Sequence, residues 1–479
     1  MSGNVSIRVK HMRSAEPKLL CYLSVLILLS GCAPSPFDFE PPAARPLLRD
    51  MPRYEAPAEP GQAAPRSDVV TIGEELTLRQ ALAAALVRNP KLRSLAWEPR
   101  IAEARRLQAG LLPNPNVDVE VEDFAGSGAL SGFDSAETTL AFSQLLELGG
   151  KRDRRVQAAE GQWTVAALDF EAQRLAVLTD TASRFVRVLE LQQRGEFAIR
   201  AQALAEENRR VIDRRVQAGD VSPIDEIKAR LESESARIAA DRLSRELDAA
   251  RRELSAMWDA TEPGFEIAVG SLDDLMPVPL LDALTELVEQ HPEVQRWIAE
   301  TERRSSVVDL ERAQAVPDVT AGAGIRYVEE TDDVGLVASF SVPLTIFDRN
   351  QGGILAARLR AAQAIDEGRA SRRDLATRLV RAHARLTAAY HEAKAIDAAL
   401  LPAANAAYDA TRRAYDEGKL PYLDVLDAQR TLFDTETQRL EALAEYHAAK
   451  VQVEGLISEP LSTPSLRERS DHHNQGDTP

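Results

Sequence analysis

The chain has little cysteine, few aromatics and no surplus of positive charge. Only Cys21 and Cys32 occur in 479 residues, too few for a disulfide framework or a Cys-based zinc cage. Aromatics make up 5%, and 58 Lys and Arg stand against 75 Asp and Glu, for a formal net charge of −17. That balance argues against a nucleic-acid partner, whose affinity comes from cations neutralising phosphates. The longest apolar run, Leu19 to Leu29, is too short to span a bilayer as a helix. No nucleophile–base pair, phosphate loop or metal cage can be read from the chain, so no catalytic or metal residue is assigned and no enzyme activity or cofactor is expected. Paired metal binding by His383 and His391 is disfavoured by their eight-residue spacing on one long helix. What is present is 44% hydrophobic residues, enough for a sizeable fold.

Residues 1–31 read as an export signal: Arg8, Lys10, Arg13 and Lys18 precede the apolar run. It ends at Leu29-Ser30-Gly31-Cys32, which resembles the bacterial lipobox, and Cys32 is then the expected site of acylation. The plainer alternative is an ordinary signal with a chance cysteine. Ala33 rather than Asp follows, which implies sorting to the outer membrane. Removal of the signal takes a net +3 with it and leaves −20, and no free thiol remains. Residues 32–75 hold nine prolines between Pro34 and Pro65, which predicts an extended tether without helix or core. Residues 458–479 read as a polar tail.

Most informative is an internal tandem duplication. Ala81-Leu82 through Asn89-Pro90 aligns with Ala283-Leu284 through His291-Pro292, and the same offset of 202 residues maps Pro115-Asn116-Val117 onto Pro317-Asp318-Val319. The units are residues 76–260 and 280–457, joined by a linker at 261–279. Each reads as helix, hairpin, very long helix and return helix. A period this long marks a duplicated domain-sized unit rather than a solenoid.

Period-2 alternation places the hairpins at 115–145 and 317–346. In Val117-Asp118-Val119-Glu120-Val121-Glu122 one face is all Val and the other all acidic. A soluble two-sided sheet shows the same pattern. From 151 to 219, and again from 350 to 418, 69 residues run almost without a helix breaker, a helix about 100 Å long. A long coiled-coil scaffold is the competing reading of those helices.

Phe142-Ser143-Gln144-Leu145-Leu146-Glu147-Leu148-Gly149-Gly150-Lys151-Arg152 and its counterpart Val342-Pro343-Leu344-Thr345-Ile346-Phe347-Asp348-Arg349-Asn350-Gln351-Gly352 resemble the strand-to-helix junctions of TolC-type outer-membrane efflux proteins, in their cobalt-zinc-cadmium resistance branch. The resemblance covers roughly Leu76 to Ile457. It implies a mainly α fold with membrane β, a homotrimeric channel-tunnel whose 12-stranded β-barrel takes four strands from each chain and sits on a periplasmic α-helical barrel. It also implies a periplasmic adaptor, an inner-membrane transporter of the resistance-nodulation-division type, contact with outer-membrane lipid, and a passive exit duct for divalent heavy-metal cations. Multidrug efflux or type I protein secretion would use the same fold. In that barrel Asp118, Glu120 and Glu122 would face the lumen.

The turns Gly219-Asp220-Val221-Ser222-Pro223-Ile224-Asp225 and Gly418-Lys419-Leu420-Pro421-Tyr422-Leu423-Asp424-Val425-Leu426-Asp427 end the long helices. Asp424 and Asp427 share a helix face, and spacing alone allows plain solvated carboxylates. By the resemblance they match the acidic ring at the tunnel aperture, and Tyr415 and Asp225 match its closing network. Leu420 stands where the best-known gate has Arg, leaving closure to Lys419 or to a looser aperture.

Overall fold

The computed structural model describes residues 46–57, 60 and 71–462. The export signal, Cys32 and the tail beyond 462 lie outside the described residues.

Each half opens on chemistry shared by the duplication. Strand β1 (Glu75–Thr77) leads into α1 (Leu78–Arg88), which starts in a capping box: Thr77 Oγ1 accepts from Gln80 N while Gln80 Oε1 accepts from Thr77 N. Asn89 then caps α2 (Pro90–Leu95) by accepting from the Lys91 and Leu92 amides, and α3 (Trp97–Ala109) follows a bend at Ala96.

The second half repeats the start. A short α6 (Leu281–Thr285) precedes α7 (Pro292–Gln314), which His291 caps by accepting from Glu293 N at 3.2 Å. Asn89-Pro90 and His291-Pro292 thus do one job twice: a side-chain acceptor meets an orphan amide, and proline fills a position that needs no donor.

Strands β2 (Asn116–Glu122), β3 (Glu137–Leu146), β5 (Val319–Val328) and β6 (Asp333–Ser341) form one antiparallel sheet in the order β2-β3-β5-β6. The two hairpins are welded by ten residue pairs between β3 and β5. Register puts Val119, Leu140, Ile325 and Leu336 in one row and Glu120, Thr139, Arg326 and Gly335 in the next. Gly324 is required where it stands, because a Cβ there would lie 2.7 Å from Ala141 Cα.

Helix α4 (Lys151–Gln217) is a single run of 67 residues, and α5 (Pro223–Ser255) returns along it. The second long helix is not one run. It divides into α8 (Gln351–Ala395) and α9 (Leu401–Asp416) around a π-turn at Ile396–Leu400. Pro402 has no N–H for the carbonyl four residues back, and one wider turn absorbs the mismatch without ending the helix. Helix α10 (Tyr422–Ile457) returns, packed on α4, α8 and α9.

Three boundaries expected from the sequence are corrected by packing. Residues 261–279 are not a bare linker: β4 (Ile267–Val269) pairs in parallel with β1, and Phe265, Ala268 and Leu272 are buried in the main core. Tyr446 clasps the same strap by bonding both N and O of Met276. Nor is 46–57 a free tether. It opens with a 3-10 turn at Pro46–Leu48, and Leu48 and Ala56 are 1% and 2% exposed in that core. Arg53 reaches Glu171 at 3.1 Å and Pro52 O accepts from Arg174. At the other end the tail begins packed, with Leu461 N bonded to Glu454.

Candidate functional site

Two regions carry side chains with no structural need to be where they are: the turns at the far end of the long helices, and the four-stranded sheet. At the turns Gly219 and Gly418 adopt φ of 80° and 72°, the left-handed conformation that ends a helix most readily at glycine. Ser222 caps α5 and Pro421 precedes α10. The turns are sealed by a small apolar cluster of Ile212, Ala229, Tyr422, Val425 and Leu426.

That cluster orients the acidic pair. With Val425 and Leu426 facing inward, Asp424 is left half-buried and Asp427 exposed at the tip. Tyr415 takes its hydrogen bond from Arg215 Nη1 at 2.6 Å, and the guanidinium also lies over its ring at 5.0 Å. Asp225 instead sits near Lys228 at 3.8 Å. It is close enough to Tyr415 for its charge to add to the effect of burial, which raises the phenol pKa. Tyr422, its ring tilted against Tyr415 at 5.8 Å between centroids, is pushed up to about 12, mainly by burial. Both phenols stay neutral.

Lys419 is tied to Glu417 within its own turn at 2.5 Å. The cation on Tyr415 is therefore Arg215, which sequence reading did not select. Its partner lies 200 residues away, and no local pattern marks it.

Above the tips three polar crossbars join the helices. Glu206 accepts from Ser233 at 3.0 Å between α4 and α5, and with Arg209 hydrogen-bonded to it its pKa falls to about 2. Asn208 meets the buried Gln429 at 3.1 Å between α4 and α10. Glu232 meets Arg430 at 2.5 Å between α5 and α10.

The sheet separates its faces as the alternation predicts. Val117, Val119 and Val121, Leu140 and Phe142, Ile325, and Val334, Leu336 and Phe340 all project outward on one side, with Leu336 91% exposed. On the other side Asp118 accepts from Ser143 at 2.8 Å. Arg326 binds Thr139, Glu137 and Glu122, the last at 3.2 Å. Glu120 shares that face and lies in the Arg326 row. Arg326 is the second residue that sequence reading left without a role.

Among the described residues no group of three or more His, Cys, Asp or Glu is placed to hold a metal. His383 instead meets the carbonyl of Pro279 at 2.8 Å.

Polar turns at the end of helices of this length, beyond a sheet with one mostly apolar and one polar face, fit a duct. The sequence profile described as outer membrane efflux protein matches residues 81–260 and 283–459. The chain belongs to the outer membrane efflux protein family. It is 34% identical over 382 residues to the cobalt-zinc-cadmium resistance protein CzcC of Cupriavidus metallidurans, covering 80% of this chain and 90% of that one. It is 28% identical over 289 residues to the nickel and cobalt resistance protein CnrC of the same organism, covering 60% and 67%. Its fold matches the solved structure of CusC with a TM-score of 0.68 at 17% identity, covering 88% of this chain and 98% of that one.

Outer membrane efflux proteins are the outer-membrane channels of efflux pumps. They extend into the periplasm and work with adaptors and inner-membrane transporters. The chain is such a channel, and the family is a passive duct.

Proposed function

We propose that three copies of this chain form an exit duct for divalent heavy-metal cations. The substrate is carried by one observation, the 34% identity to a cobalt-zinc-cadmium resistance protein across nine-tenths of its length. The test is complementation: in a cell lacking its own such duct, this chain should restore growth in zinc, cobalt or cadmium. Restored tolerance to toluene or another solvent, with none to metals, would move the substrate class elsewhere.

The trimer rests on the edges of the sheet. Strands β2 and β6 each pair on one side only, and an open edge in lipid leaves backbone groups unsatisfied. Four strands cannot close, whereas twelve make an even-numbered antiparallel barrel. Its apolar face then meets lipid, and Asp118, Glu120 and Glu122 line the lumen. Exposed Ile224, Ile227, Leu231 and Ile238 on α5, and Leu355 and Leu359 on α8, offer apolar stripes for the same association. A periplasmic adaptor and an inner-membrane transporter of the resistance-nodulation-division type complete the pump.

Asp424 and Asp427 from three chains ring the aperture and concentrate cations, while Tyr415, held by Arg215 and flanked by Asp225, keeps neighbouring helices together. Replacing both Asp424 and Asp427 by Ala should weaken block of reconstituted channels by a trivalent cation about tenfold or more, ~1.4 kcal/mol. Glu232→Gln should leave block intact, because that carboxylate is committed to Arg430. Unchanged block in the double variant would remove the pair from the constriction.

The N-terminal lipid belongs to the same proposal. Cys32→Ser should abolish fatty-acid labelling and leave the signal uncleaved by the lipoprotein peptidase. Normal labelling of that variant would overturn the assignment.

A further inference from the structure

At the periplasmic end of the sheet the two free edges carry complementary shapes. Strand β6 ends at Ser341, but its outward apolar positions continue beyond the last ladder pair through Val342, Leu344 and Ile346, and Phe347 follows with 89% of its surface exposed. On the opposite edge, below the start of β2, a cavity of about 490 Å³ opens between Leu112, Leu146, Gly150, Lys151 and Arg152. Leu112 is 67% exposed.

Nothing in a single chain brings these features together, because they lie at opposite ends of the strand order. Closing the sheet does. Strand β2 enters the sheet from the helical end and β6 leaves toward it, so β6 of one copy runs antiparallel beside β2 of the next. The exit of β6 then lies against the next copy's approach to β2, where the cavity opens. Asp348 follows Phe347. Of the charged groups on the cavity wall, Glu147 is committed to Arg155 and Lys151 to Asp318, while Arg152, with its Nε on Gly110 O at 2.6 Å, and Asp153 are exposed.

We propose that Phe347 of each copy seats in the cavity beside Leu112 and Leu146 of the next, with Asp348 facing that copy's Arg152. The inference rests on the trimer reading and adds the contact that locks the barrel to the helices below it. Backbone outside the ladder cannot lie bare in hydrocarbon, and docking on the next copy gives residues 342–347 a protein surface.

The chain's two cysteines are Cys21 and Cys32, and the proposed processing removes the first and acylates the second, so engineered cysteines report cleanly. In the full-length trimer, Leu112→Cys with Phe347→Cys should give covalent oligomers under oxidation or with a short bis-maleimide. Disulfides need Cα atoms within about 7 Å, and the maleimide extends that reach. Either single variant should give none. Phe347→Ala should lower the temperature at which the trimer dissociates in detergent, and Phe347→Leu should restore most of it. An intact trimer with no bridge in the double variant would overturn this contact, with the trimer standing. A wild-type chain that is monomeric in the membrane would instead overturn the trimer reading, and this contact with it.

Discussion

Leu336→Arg should strip most of the proposed trimer from the outer membrane, whereas Ser339→Arg, three residues on and on the other face, should assemble. Leu336 ends the row Val119, Leu140, Ile325 and Leu336, and it is 91% exposed. If that row faces lipid, a guanidinium there costs about 2–4 kcal/mol per chain near the midplane. Each barrel would carry three such substitutions. Ser339 shares the polar face with Asp118 and Arg326, where an added charge meets water. The measurement is the fraction of heat-dissociable trimer in outer-membrane preparations. Assembly of Leu336→Arg alongside failure of Ser339→Arg would reverse the facing of the whole sheet.

The second large effect lies in the helical body. Arg174 and Glu171 are 2% and 3% exposed in their side chains and meet at 2.8 Å. Burial pulls the Arg174 pKa down while Glu171 pulls it back up. Arg53 adds a second cation to Glu171, and Pro52 O takes Arg174 Nη2 at 3.3 Å, so the pair pins the 46–57 segment. Arg174→Leu leaves a buried carboxylate with one partially exposed partner, and should destabilise the chain by about 3–5 kcal/mol. Glu171→Leu combined with Arg174→Leu removes both charges and should recover most of that loss. Trypsin cleavage at Arg49 and Arg53 reports the release of the segment directly. Cleavage of Arg174→Leu no faster than that of the wild type would show that the ion pair is not what holds it.

How far the sequence could be read depended on how local each signal is. The strand faces were legible because alternation within six residues, Val117 to Glu122, already fixes which side chains share a side. The tips were legible because Gly219 and Gly418 need positive φ and each is soon followed by proline. Asn89-Pro90 and His291-Pro292 showed the duplication by repeating a cap. Pairings across long separations were not legible. β1 and β4 are three residues each and meet from 192 positions apart, so neither has room for a period of its own. Arg215 and Tyr415 likewise meet across 200 positions. Prolines kept α-helix out of 46–57, but a 3-10 turn forms at Pro46–Leu48, and the prolines say nothing about docking, which the buried Leu48 and Ala56 decided. The π-turn was foreshadowed only by Pro402, whose usual effect is to end a helix rather than to widen one turn.

The amide of Leu47 donates to the carbonyl of Ser458 at 3.5 Å, a bond that joins positions 411 apart and brings the two ends of the body together. A polypeptide threaded across the inner membrane from its N-terminus presents Leu47 early and Ser458 almost last. The body can therefore fasten shut only when nearly all of it has emerged, and until then residues 46–57 lack part of the surface that covers them. Contacts so distant along the chain form slowly, because most of its freedom must be lost first. A chain interrupted before Ser458 lacks the acceptor for this bond and leaves the seam open.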